Sequence, residues 1–186
     1  MELNVSKQTL FEKTIATDAY ISEFCDKERF EALCRECPNY GRRWGCPPFN
    51  DNPQPDLSAF DNVKLYLLKI DLDPAEFEST AALETAMRRV VQCTRIPYEK
   101  KMLMDEKATN GRAALFTGMC PHCGERECAR TSGRPCVHPA IVRPSLEALG
   151  FDLGKTAEEI FGIKLEWGAD KKAPTYLCLI GAVFHN

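Results

Sequence analysis

The most continuous hydrophobic pattern lies in the middle of the chain, where residues 63–72 read VKLYLLKIDL. Apolar side chains fall on both faces of this segment, which is typical of a central strand covered by helices. A second apolar run, residues 176–184, predicts a final buried strand, and residues 112–117 predict a short strand that leads into a cysteine-rich loop. The pattern therefore predicts a small sheet.

Helix signals follow the first of these strands. Residues 73–76 (DPAE) combine an Asp at an N-cap position, a Pro at the first helical position and a Glu placed as in a capping box, so we expect a helix to start there. Apolar residues then recur at helical spacing until Pro97, which predicts a break or a kink. A second helix over residues 98–107 should end near residues 110–111 (NG).

Shorter helices are predicted on either side of this central region. Residues 21–33 have the composition of a helix, and Thr156 begins a capping-box sequence for a brief helix that Gly162 should end. Residues 144–150 suit another short helix. The expected fold class is α/β in the mixed α+β sense: one compact domain over residues 1–186, with a small sheet packed by helices and two cysteine-rich metal-binding loops.

Composition and charge narrow the function classes. The chain has 186 residues, of which 44% are hydrophobic, enough to bury a core. Its net charge of −3 gives no basic footprint for nucleic acid. The N-terminus lacks the pattern of a secretion signal, and the longest apolar run, residues 177–184, is too short to cross a bilayer. We expect a cytoplasmic protein that binds neither nucleic acid nor membrane.

Ten cysteines then change the picture. Disulfides are rare in a reducing compartment, where clustered cysteines more often bind metal or act in catalysis. Cys93 and Cys178 lie within a helical stripe and an apolar strand, so both are predicted to pack in the core. The cysteines that are candidate metal ligands fall into two groups.

The second cysteine group gives the most specific signal. It consists of Cys120, Cys123, Cys128 and Cys136. Its uneven C-x2-C-x4-C-x7-C spacing favours an iron–sulfur cluster over the paired knuckles of a structural zinc site, although zinc stays an alternative. His122 and His138 are possible ligands, but four thiols already suffice. Four arginines crowd the same loop: Arg126, Arg130, Arg134 and Arg143.

The first cysteine group consists of Cys34, Cys37 and Cys46, in a C-x2-C-x8-C-P-P pattern. Three thiols leave one iron of a cubane cluster without a local thiolate. Cys25 could complete the set, although a buried structural thiol on the predicted helix is its alternative role. The iron could instead stay open and bind substrate. Finally, the two groups could share ligands, as happens when a cysteine before a proline serves the other cluster of a pair.

Two long motifs carry a family resemblance. CRECPNYGRRWGCPPF and CPHCGERECARTSGRPCVHPAIVRPSLEALGFDL resemble, in this order, an uncharacterised family described as predicted metal-binding proteins, found largely in anaerobic bacteria and archaea. The resemblance runs from about Tyr20 to the closing strand around Cys178. It implies metal binding, with the ligands falling on both cysteine groups, and it names no reaction.

The sequence therefore predicts a protein with one or two [4Fe-4S] clusters and a role in electron transfer or as a redox accessory, with an unidentified redox partner protein. Two alternatives stay open. One is an enzyme with an open iron at the first group, whose small-molecule substrate would lie against Tyr40, Arg42, Arg43 and Trp44. The other is an interaction module stabilised by zinc.

Overall fold

The fold is built on one antiparallel sheet of four strands in the order β1-β2-β4-β3. The structure is a computed structural model that describes residues 2–50, 52–118, 120–124 and 126–186. The strands are β1 (Val5–Ala16), β2 (Asn62–Leu72), β3 (Arg112–Ala114) and β4 (Tyr176–His185). The helices are α1 (Thr17–Phe24), α2 (Lys27–Arg35), α3 (Thr80–Thr109) and the single turn α4 (Leu153–Lys155), which continues as a wider π-helical turn over Thr156–Ile160. The predicted mixed α+β class is confirmed.

Strand β2 lies at the centre of the core, as its two apolar faces predict. Leu65 and Leu67 belong to a cluster with Tyr20 of α1, while Leu68 belongs to a second cluster with Met102 of α3. Helical segments therefore cover both faces of the sheet. β4 pairs with β2 over its whole length and confirms the second predicted strand.

Helix α3 begins later than the sequence predicts. Its N-cap is Ser79, whose hydroxyl accepts a hydrogen bond from the backbone N–H of Ala82 at 3.1 Å. The prediction of a start at residues 73–76 is wrong, because this segment makes backbone hydrogen bonds to distant chain: Asp73 N–H donates to Asn4 O at 3.1 Å, and Ala75 O accepts from Ala173 N–H at 2.9 Å. These extended pairings outweigh the local capping signals.

The predicted break at Pro97 is also wrong, since α3 runs through it without interruption. Proline has no N–H, so Pro97 cannot donate the usual helical hydrogen bond to the carbonyl of Cys93. Both residues are exposed, and water can bind this carbonyl instead. The exposure of Cys93 likewise contradicts its predicted place in the core. The helix ends as predicted at Asn110, which adopts the left-handed conformation at φ 50°.

The single helix predicted over residues 21–33 is in fact two helices, α1 and α2. Between them Cys25 forms a β-bridge with Phe151, and Asp26 N–H donates to Gly150 O at 2.8 Å. The Asp26 carboxylate then accepts from Arg29 N–H at 3.0 Å and caps α2. Pairing with a distant segment therefore interrupts the helix at Cys25.

The remaining short elements differ in detail from their predictions. β3 ends at Ala114, earlier than predicted, and the helix over residues 144–150 is reduced to one turn, Glu147–Leu149, which Gly150 ends at φ 100°. The turn near Thr156 is capped by Asp152 instead, through a 2.9 Å bond from Lys155 N–H. Across the described ranges, every helix is too short or too polar to span a bilayer.

Candidate metal centre

The first cysteine group begins with Cys34 in the last turn of α2 and continues on a chain of turns that follows this helix. Backbone hydrogen bonds of 3.0 Å run from Cys37 N–H to Cys34 O and from Tyr40 N–H to Cys37 O. Gly41 then reverses the chain at φ 67°, and its N–H donates to Pro47 O at 2.8 Å. This closing bond brings Cys46 back toward the two earlier cysteines.

All three thiols of the first group line one cavity, which we call the thiol cavity. Its volume is about 170 Å³, and Cys120 of the second group lines it as well. A cavity of about 150 Å³ is enough to take a benzene molecule. The space is therefore larger than a lone metal ion needs.

Burial controls the protonation of these thiols. Burial, together with the neighbouring thiols of Cys37 and Cys34, raises the pKa of the Cys46 thiol to about 11. Burial also raises the pKa of Cys34. Without metal these two thiols are thus protonated at neutral pH, and metal binding has to displace their protons.

A buried ion pair forms another part of the cavity wall. Arg95 and Glu99 are only 3% and 2% exposed, and Arg95 donates to the Glu99 carboxylate and to the carbonyl oxygens of Phe116 and Thr117. Burial raises the pKa of Glu99, while the charge of Arg95 acts in the opposite direction. Arg95 therefore fixes the backbone that leads into the second cysteine loop.

Two carboxyl oxygens at this cavity have no hydrogen-bond partner among the described residues. They are Oε2 of Glu99 and Oε2 of Glu147, both fully buried atoms. Burial raises the pKa of Glu147, against hydrogen bonds from the hydroxyls of Thr117 and Ser145. Neither carboxylate was predicted from the sequence, although Arg95 and Glu99 stand four residues apart on α3, which is the spacing of a helical ion pair.

The second cysteine group occupies a loop with one short helical turn, Ala129–Ser132. Burial raises the pKa of Cys120, and the thiols of Cys123 and Cys136 add to the shift. Cys136 is in turn close to the thiols of Cys128 and Cys123. The charges of these thiols therefore act on one another, and Cys120 also lines the thiol cavity.

His138 lies beside this group. Its backbone N–H donates to Cys136 Sγ at 3.4 Å, and its ring centroid is 6.0 Å from that of His122. The Nε2 atom of His138 is buried and has no partner within the described part of the chain. His122 lines the thiol cavity, and burial lowers its pKa.

Arg130 joins the two cysteine loops. Its guanidinium donates to the carbonyl oxygens of Arg43 at 2.8 Å, Cys46 at 2.6 Å and Pro48, and it lies over the Trp44 ring at 5.3 Å. Trp44 Nε1 donates back to Arg134 O in the second loop at 3.1 Å. The loops thus contact each other directly.

Other predicted site residues are placed apart. Cys25 lines a different groove, where its Sγ lies 3.8 Å from Leu149 O. Of the residues proposed to contact a substrate, Tyr40 and Arg43 line the thiol cavity, whereas Trp44 lines a separate groove. Cys178 is half-buried and packs against the core, as predicted.

The donor chemistry of the two loops fits a metal that prefers thiolates, such as zinc or the iron of an iron–sulfur cluster. All ten cysteines are free thiols. As the side chains stand, no three His, Cys, Asp or Glu residues within the described ranges form a group that could hold a metal ion.

Residues 20–183 match a family described as predicted metal-binding protein (DUF2284). The chain belongs to this family. The matched region contains both cysteine groups and the thiol cavity, so the family's description applies to the part of the molecule described above. No curated protein and no solved structure matches the chain.

Proposed function

We propose that this metal-binding protein carries [4Fe-4S] clusters and serves in electron transfer or as a redox accessory. The observation that supports this most is the thiol cavity of about 170 Å³, whose wall includes the first cysteine group and Cys120. A lone zinc ion with four sulfurs at about 2.3 Å would need less room. When bound, a cluster would supply one-electron chemistry.

The second cysteine group would hold another cluster. Arg130 bonds the carbonyls of the first loop, so two clusters would be neighbours and could pass electrons between them. The positive charges of Arg130 and Arg43 would offset the negative charge of a thiolate-ligated cluster. We also propose a cytoplasmic location, because a reducing compartment keeps free thiols available for metal. Electron transfer would further require a protein redox partner.

The test is anaerobic purification followed by electron paramagnetic resonance before and after reduction with dithionite. The proposal predicts a brown protein whose clusters take up electrons reversibly and give a signal when reduced. Replacing Cys37 by Ser should remove signal, whereas Cys93→Ser, at an exposed thiol on α3, should leave it unchanged. A colourless, zinc-loaded protein from the same preparation would instead support the zinc-stabilised interaction module.

A second candidate function is an enzyme with an open iron at the first group. The unpartnered Oε2 atoms of Glu99 and Glu147 favour it, because both lie at the thiol cavity and could accept hydrogen bonds from a small substrate. Cyanide is a suitable probe, since it binds an iron that lacks a fourth protein ligand. A changed resonance spectrum on adding cyanide supports this function, and an unchanged spectrum rejects it.

A further inference from the structure

We infer that Cys120 is a ligand of the first metal centre, although it lies in the second cysteine loop. His138 then replaces Cys120 as the fourth ligand of the second centre. The chain would then hold a four-thiolate centre and a centre of three thiolates and one imidazole. The first is Cys34, Cys37, Cys46 and Cys120, and the second is Cys123, Cys128, Cys136 and His138. The identity of the metal rests on the proposed function, but the division of ligands does not.

The position of Cys120 carries the first half of the inference. It lines the thiol cavity together with the three thiols of the first group, whereas Cys123, Cys128 and Cys136 do not line it. The charges of Cys123 and Cys136 also act on the Cys120 thiol, so Cys120 lies between the two groups, and its position on the wall of the thiol cavity is what assigns it to the first.

His138 carries the second half. Its Nε2 is a buried ring nitrogen with no hydrogen-bond partner among the described residues. A buried ring nitrogen without a partner destabilises the fold, and a metal bond would satisfy it. His138 follows Cys136 by two residues, and its N–H donates to the Cys136 sulfur at 3.4 Å. His122 lines the thiol cavity instead, and His185 lies at the end of β4, so His138 is the histidine that stands at the second group outside that cavity.

An imidazole ligand changes the chemistry of the second centre. A neutral imidazole brings one negative charge less than a thiolate, so the centre would be reduced more easily than the four-thiolate one. Electrons would then pass from the first centre to the second. The two centres would also be distinguishable by spectroscopy, since only one has a nitrogen ligand.

The experiment combines metal and sulfide analysis with electron paramagnetic resonance and pulsed detection of nitrogen coupling, on protein purified without oxygen. The wild type should show nitrogen coupling from one of two centres. His138→Ala should lose that centre and keep the other. His138→Cys should keep both centres but lose the nitrogen coupling, which guards against a variant that fails only because its loop misfolds. His185→Gln changes a partly exposed histidine at the end of β4, outside both cysteine groups, and should match the wild type.

Cys120→Ala tests the other half of the partition. We expect it to alter the spectrum of the four-thiolate centre while the nitrogen-coupled centre is retained. The opposite result, loss of the second centre with an unchanged first centre, overturns the inference and leaves the first group open, as the enzyme candidate requires. Unchanged spectra and metal content in His138→Ala overturn it equally.

Failure of the proposed function has a different signature. If the wild type contains zinc and no sulfide, the iron–sulfur assignment is wrong, but the partition is still measured by cobalt(II) binding. His138→Ala should then bind one cobalt fewer than the wild type, whereas Cys25→Ser should bind the same number. Equal binding by His138→Ala and the wild type would overturn the partition.

Discussion

Arg95 shows at the scale of one residue how the site depends on buried charge. Its guanidinium donates to Oε1 of the Glu99 carboxylate and to the carbonyls of Phe116 and Thr117, all within or beside the thiol cavity. A charge at this depth is stable only with such partners. The backbone ahead of the second cysteine loop therefore takes its position from a side chain of α3.

We expect Arg95→Ala to lower the free energy of unfolding by about 3–5 kcal/mol, because it leaves the Glu99 carboxylate buried without its ion pair. Urea denaturation followed by circular dichroism measures this. Arg88→Ala, at an exposed arginine on the same helix, is the matched control and should change stability by less than about 0.5 kcal/mol. A loss below about 1 kcal/mol in Arg95→Ala would contradict the structural role given to this residue.

At the scale of elements, a small charge network fixes α3 to the sheet. The Asp105 carboxylate accepts hydrogen bonds from Tyr66 and Lys64 of β2 and from Lys101 of its own helix. Burial alone would raise the pKa of Asp105, but these hydrogen bonds lower it to about 2. The network therefore stabilises the fold only while Asp105 is ionised.

Asp105→Asn should lower the free energy of unfolding by about 1–2 kcal/mol at neutral pH, since it weakens several charge-assisted hydrogen bonds. The folded pKa lies below the unfolded value of about 3.9, so this stabilisation is fully present above that value and is lost as the pH falls toward about 2. Urea titrations from pH 7 to pH 3 should show the gap between wild type and variant narrowing below about pH 4. The control is Glu84→Gln on the exposed face of α3, and a pH-independent gap would contradict this account.

Helices and strands could be predicted from the sequence where a run of apolar residues reflects the burial of that same segment. β2 and β4 have long apolar runs and were found, whereas β1 is a mostly exposed edge strand with polar residues and gave no signal. The start of α3 and the interruption at Cys25 were mispredicted, because both are decided by backbone bonds to residues far along the chain. Which thiols share a cavity, such as Cys120 with the first group, depends on the same distant packing.

At the scale of the whole molecule, the two cysteine loops act as one unit. Arg130 from the second loop binds three carbonyl groups of the first loop, and Trp44 of the first loop binds the backbone of the second. Apart from Cys34 at the end of α2, the cysteines of both groups lie outside the α-helices and strands of the fold. The geometry of each loop thus depends on the other loop as much as on the core.

Arg130→Ala should therefore weaken metal binding in both loops, because it removes the charged donor that joins the carbonyls of Arg43 and Cys46 to the second loop. We expect metal loss to a chelator to become at least about tenfold faster, equal to about 1.4 kcal/mol, which is the scale of one charge-assisted hydrogen bond. Arg134→Ala is the control, since this exposed arginine donates to nearby Ser132. Equal rates of metal loss in the two variants would show that the loops hold their metals independently.

The central claim is that the thiols of this protein bind iron together with inorganic sulfide. Chemical analysis of iron, acid-labile sulfide and zinc in protein purified without oxygen tests it most directly. We predict iron and sulfide in equal amounts, several of each per chain, and little zinc. Zinc without sulfide in that preparation would contradict the claim.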